Sequence, residues 1–488
     1  MRNVLQLFVL ALVAVAVGFV SLPAISANST VKELRNEEVA TFNKHVAPIF
    51  FKNCAECHRP GEAAPMSLLS YKDARPWAKS IKEKVVSREM PPWHADPRYG
   101  EFKNNRRLSD TEIAAIVNWV DNGAREGETR DLPAAPKFVD GWSIGKPDLV
   151  IPMPHEFKLE ASGPDEYQLF PLDYTFAQDT YVQAIEARPG NRKVVHHLVA
   201  MVKPPDDPTT PQLSKEEAEK LKAAKEKESI LYREGFVQRL KPETPVYNNG
   251  CELKNGGQGR TLNTDKRQMS TLPILAVYAP GRNPNVLEPG TVKLIPAGSK
   301  IVLQAHYSKV AGEVQTDRSS VGLIFATKPP TKVSNTEMVF NSYFRVAPGE
   351  AGHPVAACWT TDRDMQITSF MPHMHMRGAA MEVKAVFPDG RKEVLLNVPK
   401  YDFSWQTSYL LKEPLSVPRG TTIFVTGVFD NSAKNKYNPD PTKTVYYGNQ
   451  TWEEMHFPSF GVVVNDIKLE QRQIIQRNQT GTAAFGGN

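Results

Sequence analysis

Cys54-Ala55-Glu56-Cys57-His58 decides how the N-terminal part of the chain folds, because C-x-x-C-H is the pattern by which a polypeptide holds haem c covalently. The two thiolates add across the haem vinyl groups, and His58 is carried to the iron as the proximal ligand. A redox-type C-x-x-C pair with a chance histidine after it is the bland alternative. Met90, in Arg88-Glu89-Met90-Pro91-Pro92-Trp93, offers a thioether pinned by two prolines. Placed opposite His58, it would complete a six-coordinate, low-spin iron suited to electron transfer. Met66 is the rival ligand, although a lone methionine more often fills a core.

Helical patterns flank this motif. Val39 to Lys52 has helical spacing, and Ser109-Asp110-Thr111-Glu112 is a capping box that opens a helix with Ile113, Ile116, Val117 and Val120 on one face. Trp119 and the stop at Asn122-Gly123 finish that helix. Two helices around a haem motif and a Met-Pro loop resemble the class I cytochrome c fold, and the resemblance covers residues 35–128. An all-α domain at 28–128 is therefore expected, followed by a linker at 129–144 that begins rich in Pro and Ala.

The N-terminus bears on location. Arg2 precedes an apolar run from Val4 to Val20, and Ala24-Ile25-Ser26-Ala27 offers a small-residue cleavage site. A signal peptide at 1–27 and a periplasmic or secreted bacterial protein follow as the expectation, since haem c also requires export-linked maturation. An uncleaved anchor helix is the alternative. At 488 residues the chain divides into about three domains. Its 59 Lys and Arg against 54 Asp and Glu leave no basic excess that would point to nucleic acid. Of four cysteines, two belong to the haem motif; Cys251 and Cys358 either form one disulfide or stay free.

From Gly141 onward the pattern is short alternating strands. In Lys300-Ile301-Val302-Leu303-Gln304-Ala305-His306-Tyr307 the even positions put Val302, Gln304 and His306 on one face. Phe387-Pro388-Asp389-Gly390-Arg391 reads as a tight turn between the strands Met381 to Val386 and Val394 to Val398, and Thr421 to Val428 adds another. Many strands with frequent turn signals argue for β-sandwiches, placed at 145–335 and 336–488. Ser214 to Lys241 interrupts them as a charged helical insertion, read as a solvated surface helix.

Histidines gather in these β regions at His196-His197, at His306, and in Met371-Pro372-His373-Met374-His375-Met376. A strand projects residues i and i+2 from one face, so His373 and His375 are ready to chelate a metal. His196 and His197 normally point apart and share a metal only if the strand twists or a bulge turns one of them. Each motif alone is more often a packed or surface histidine. Taken together, in a Met-rich neighbourhood with few carboxylates, they favour copper over magnesium, calcium or manganese, with zinc still open.

The order His-His, Gln-x-His-Tyr, His-x-His, Thr-x-x-Glu-Met resembles the copper type II, ascorbate-dependent monooxygenases, including peptidylglycine α-hydroxylating monooxygenase and dopamine β-hydroxylase, over residues 145–475. Bacterial relatives fused to an N-terminal cytochrome c are the nearest likeness. The resemblance implies two jelly-roll-like copper domains. In it His196, His197 and His306 match the all-histidine copper that stores and passes an electron, while His373, His375 and Met455 match the copper that activates dioxygen. The implied cofactors are one covalent haem c and two coppers. The implied partners are dioxygen, a small organic substrate, and an electron donor that is either an ascorbate-like reductant or a redox protein. Met371 stands where peptide-amidating members carry an arginine for the substrate carboxylate, and Phe457 and Ser459 replace polar partners after the ligand methionine. These departures argue against peptide amidation and for an apolar or aromatic substrate. The competing reading is a periplasmic electron-transfer or copper-binding protein without oxygenase activity.

Overall fold

The computed structural model describes residues 39–62, 64–138, 141–163, 165–205, 273–279, 285–310, 312–341, 344–448 and 450–465. The N-terminal stretch 1–27 read as a signal peptide, the stretch 214–241 read as a charged insertion, and Cys251 lie outside the described residues. Cys358 is disulfide-bonded. Among the described residues no helix is long and apolar enough to cross a membrane.

The first unit is a small helical domain. A π-turn at Phe42–Val46 runs into the helix Ala47–Asn53, and Tyr71–Ala74, Ala78–Val86 and Asp110–Asp121 follow. The last helix starts as its sequence dictates: Ser109 and Glu112 cap each other reciprocally, satisfying amides that the first turn leaves without partners. Trp119 is fully buried among Phe42, Phe50 and Ile116. Its ring packs against both phenylalanines, with centroids 6.0 and 6.4 Å away. Burial of each such side chain contributes about 1.5–3 kcal/mol, which lets so short a set of helices hold together.

The rest is β-rich and built of several sheets. A nine-stranded sheet runs, in spatial order, Leu149–Pro152, Ser320–Phe325, Thr180–Arg188, Thr291–Ile295, Lys332–Met338, Ser459–Val464, Met365–Met371 and Tyr409–Val417, with Asn285–Val286 paired to Thr180–Arg188. Two four-stranded sheets accompany it. One has the order Glu166–Thr175, Lys300–Tyr307, Val195–Lys203, Ile274–Tyr278; the other is Ala351–Thr360, Thr422–Asp430, Gly378–Val386, Lys392–Val398. One core takes Ile185, Val321 and Leu323 from the large sheet and Leu198, Leu303 and Tyr307 from the first small one. A second core takes Ile367, Phe460 and Val462 from the large sheet and Val355, Val383 and Val425 from the other. The two halves of the large sheet join where Thr291–Ile295 pairs parallel with Lys332–Met338; the other described strand pairs of that sheet are antiparallel.

The helical domain is fastened to this β part at two places. At one, Lys103 donates its amide to the Leu410 carbonyl at 2.9 Å and Lys412 donates to the Glu101 carbonyl at 2.8 Å, so a short extended piece adds to the edge of the large sheet. Trp93, 7 % exposed, belongs to the second β core and packs edge-on against Tyr409 at 5.0 Å. At the other, Arg192 pairs with Glu62, a carboxylate that Arg59 also contacts at 2.8 Å.

Candidate metal centres and the haem segment

Helix Ala47–Asn53 delivers the haem motif. The Cys54 and Ala55 amides still bond the Phe50 carbonyl, and the His58 amide then donates to the Cys54 carbonyl at 2.9 Å, so one turn carries both free cysteines and His58. Burial pushes the Cys54 thiol up to about 12 and raises Cys57 as well. The His58 Nδ1 lies 3.2 Å from the Met66 carbonyl, which fixes Nδ1 as the donor and leaves Nε2 for iron. Two free thiols and an oriented imidazole fit covalent haem c. Met66 thus serves His58 through its backbone, and its side chain packs in the helical core. Met90 follows helix Ala78–Val86, half-buried, with its amide bonded to the Lys84 carbonyl.

His196, His197 and His306 come together. Their ligand-capable atoms lie within 4.8 Å of one another. Nδ1 of His197 is 3.3 Å from Nδ1 of His196 and 3.2 Å from Nδ1 of His306. Three convergent ring nitrogens form a donor set that a metal cation can occupy. The adjacent pair manages this because the pairing of Val195–Lys203 with Lys300–Tyr307 shifts register between Val195 and His197, a bulge that re-aims one ring. The alternation expected along Lys300–Tyr307 holds, with Ile301, Leu303, Ala305 and Tyr307 in the core and His306 on the opposite face. His306 Nε2 bonds Asp165 at 2.9 Å, and Tyr167 stacks on the ring at 4.1 Å with an 8° tilt. Burial raises the Asp165 carboxyl, but its bond to His306 prevails and holds it below the usual range. A carboxylate behind a histidine fixes the tautomer and increases ligand basicity. Burial, helped by the nearby His306, takes His196 down to about 4, and His197 falls well below its ordinary value; both are neutral, as metal ligation requires.

His373 and His375 also meet, with ring centroids 5.2 Å apart, but not on a strand as the sequence suggests. The strand ends at Met371 because Pro372 has no N–H to continue the ladder. The loop backbone is held instead by side chains. Glu454 accepts the amides of His375 at 2.9 Å and Arg377 at 2.6 Å, and the Tyr401 hydroxyl bonds both the amide and the carbonyl of Met374. His373 Nδ1 bonds Gln406 Oε1 at 3.0 Å and His375 Nδ1 bonds the Glu453 carbonyl at 3.2 Å, so both present Nε2. Burial takes His373 down to about 4 and His375 to about 3. Met455 sits between two attachments to this loop, the Glu454 carboxylate and the bond from the Phe457 amide to the His373 carbonyl. The next residue, His456, is fully buried with both ring nitrogens unpartnered. It lies over Gly427, where an added Cβ would come within 2.6 Å of the imidazole and 3.2 Å of the Met374 sulfur. His456 and Met374 therefore share the core side of the segment.

Residues 45–124 match the family model for cytochrome c. They form a cytochrome c domain. A cytochrome c domain implies covalent haem c and haem-based electron transfer, and the C-x-x-C-H turn and the His58–Met66 bond lie within the matched residues. No curated protein matches the chain. Among solved structures, the major capsid protein P2 from bacteriophage PM2 aligns at 8 % identity over 64 % of this chain and 99 % of that chain with a TM-score of 0.22. A structure of infectious bursal disease virus, Gx strain, aligns at 8 % identity over 66 % of this chain and 72 % of that chain with a TM-score of 0.15. At such scores neither likeness carries an argument. Sequence reasoning missed Asp165, Gln406 and Phe403, which act on the histidines from distant parts of the chain and carry no local signal of doing so; Glu454 was visible as the Glu of the Thr-x-x-Glu-Met motif, but not its hold on the loop of His375.

Proposed function

We propose that this chain is an exported haem c- and copper-dependent monooxygenase that hydroxylates a C–H bond of a small organic substrate with dioxygen. The β part is then read as two jelly-roll-like β-sandwich copper domains, one around each core. The observation that carries the proposal is the convergence of the Nδ1 atoms of His196, His197 and His306; His373 and His375 meet in the other half, and Met455 is proposed as the third ligand there. Bound copper would supply one-electron steps at the first set and dioxygen chemistry at the second, drawing electrons from the haem or from a small reductant. Three neutral imidazoles tolerate both copper oxidation states, whereas a thioether favours Cu(I), so the two sets suit different tasks.

The chain's own residues do the rest. Asp165 and Tyr167 hold His306 in one tautomer and one plane. Gln406 and the Glu453 carbonyl hold His373 and His375 with Nε2 turned inward. Glu62 of the haem segment pairs with Arg192, three residues before the strand Val195–Lys203 that carries His196 and His197, which supports electron entry on that side. With Met66 engaged through its carbonyl beside His58, Met90 is the proposed second haem ligand. Met371 and Phe457 near His373 favour an apolar or aromatic substrate. Periplasmic or secreted location follows from the N-terminal segment and from haem c.

The test is dioxygen uptake by the haem-containing, copper-loaded protein with ascorbate across a panel of small aromatic and aliphatic substrates. Uptake that depends on substrate and yields hydroxylated product is expected. Full copper loading without such uptake would make the protein an electron-transfer or copper-binding protein, the reading that the cytochrome c domain supports by itself.

A further inference from the structure

His196 and His375 belong to different halves of the β part, yet they share a neighbour. The Phe403 ring lies 6.0 Å from the His196 ring at 22°, nearly parallel to it, and 5.8 Å from the His375 ring at 77°, edge-on. The segment carrying Phe403 is anchored on both sides of it by the second histidine group, through Tyr401 to Met374 and through Gln406 to His373. Between these anchors, Asp402 accepts the Ser404 amide at 2.9 Å on its side chain and the Trp405 amide at 3.0 Å on its carbonyl, closing a tight turn that points the ring. The half-buried Phe403 ring places an apolar surface beside both histidines, and the apolar shell of a metal site governs its solvent access, local dielectric and redox potential.

We propose that Phe403 is the positioning residue that couples the two histidine groups: it sets the spacing between His196 and His375 and keeps water out of the gap between them. Replacing it therefore perturbs both groups at once, which a residue belonging to either group alone cannot do. The proposal builds on the two-copper reading, so its test has one arm without metal.

In metal-free protein labelled at histidine, the imidazole resonances of His196 and His375, assigned with His196→Ala and His375→Ala, both shift in Phe403→Ala, because the ring current that each feels is gone. Phe403→Tyr keeps the ring and leaves both near their wild-type positions. In copper-loaded protein, Phe403→Ala keeps its copper content but changes the Cu(II) paramagnetic resonance signals of both sites and lowers the preference of both for Cu(I) on the order of tenfold; Phe403→Tyr restores them. A change confined to one histidine group, or none in either arm, overturns the proposal. Should the wild-type protein fail to hold two coppers, the two-copper reading falls and the metal-free resonances alone decide whether Phe403 couples the groups.

Discussion

Each of His306, His373 and His375 has a ring nitrogen held by a hydrogen-bond partner. Gln406 is the clearest case, because its amide oxygen accepts from His373 Nδ1 at 3.0 Å and thereby leaves Nε2 as the nitrogen open to the proposed copper. Gln406→Ala is expected to weaken copper binding at the His373–His375–Met455 site by about 10–100-fold and leave the other site unchanged, as read by competition with a chelator. Equal losses at both sites would mean a general loss of structure. The haem segment gives a second residue-level contrast. His58 is oriented by the Met66 carbonyl, a bond that needs only the Met66 backbone. Met66→Ala is therefore expected to retain the weak sulfur-to-iron charge-transfer band and Met90→Ala to abolish it; the opposite result would exchange the two assignments.

Among the elements, the segment between helices Ala78–Val86 and Asp110–Asp121 does two jobs. Its beginning carries Met90, while Trp93 and the stretch from Glu101 to Asn104 belong physically to the second β core and its edge strand: Asn104 bonds the Ser408 carbonyl at 2.7 Å and accepts the Leu410 amide at 3.0 Å. A covered edge also protects the large sheet from pairing with other chains. Trp93→Ala should cost about 3–5 kcal/mol, seen as a lower thermal midpoint of the β part, and not only of the helical domain. A transition confined to the helices would place Trp93 outside that core. The sequence could not reveal this, since Trp93 and Phe102 lie inside a cytochrome c-like stretch and their partners, Tyr409 and Leu411, are some 300 residues away. Local signals read well. The capping box at Ser109 and the alternation of Lys300–Tyr307 depend on neighbours in sequence, and so does the H-x-H spacing. The strand expected beneath His373 and His375 failed because Pro372 ends the ladder and long-range bonds from Glu454 and Tyr401 replace it.

At the scale of the molecule, a cytochrome c domain is fixed to a β-rich part whose two halves each bring histidines to one place. The all-histidine group could be assembled from sequence only through its order of motifs, because a bulge between Val195 and His197 and a pairing across 109 positions of chain bring its rings together. The fixed docking at Glu62–Arg192 and at the Glu101–Lys103 edge makes the cytochrome c domain an integral part of the protein, unlike a tethered carrier. The proposed activity requires two separate copper sites. Metal analysis of the purified haem protein after copper loading measures this directly: the wild type is expected to hold two coppers per haem, and His306→Ala and His375→Ala are each expected to lose about one while staying folded. A wild-type protein that takes up a single metal, or only zinc, would contradict it.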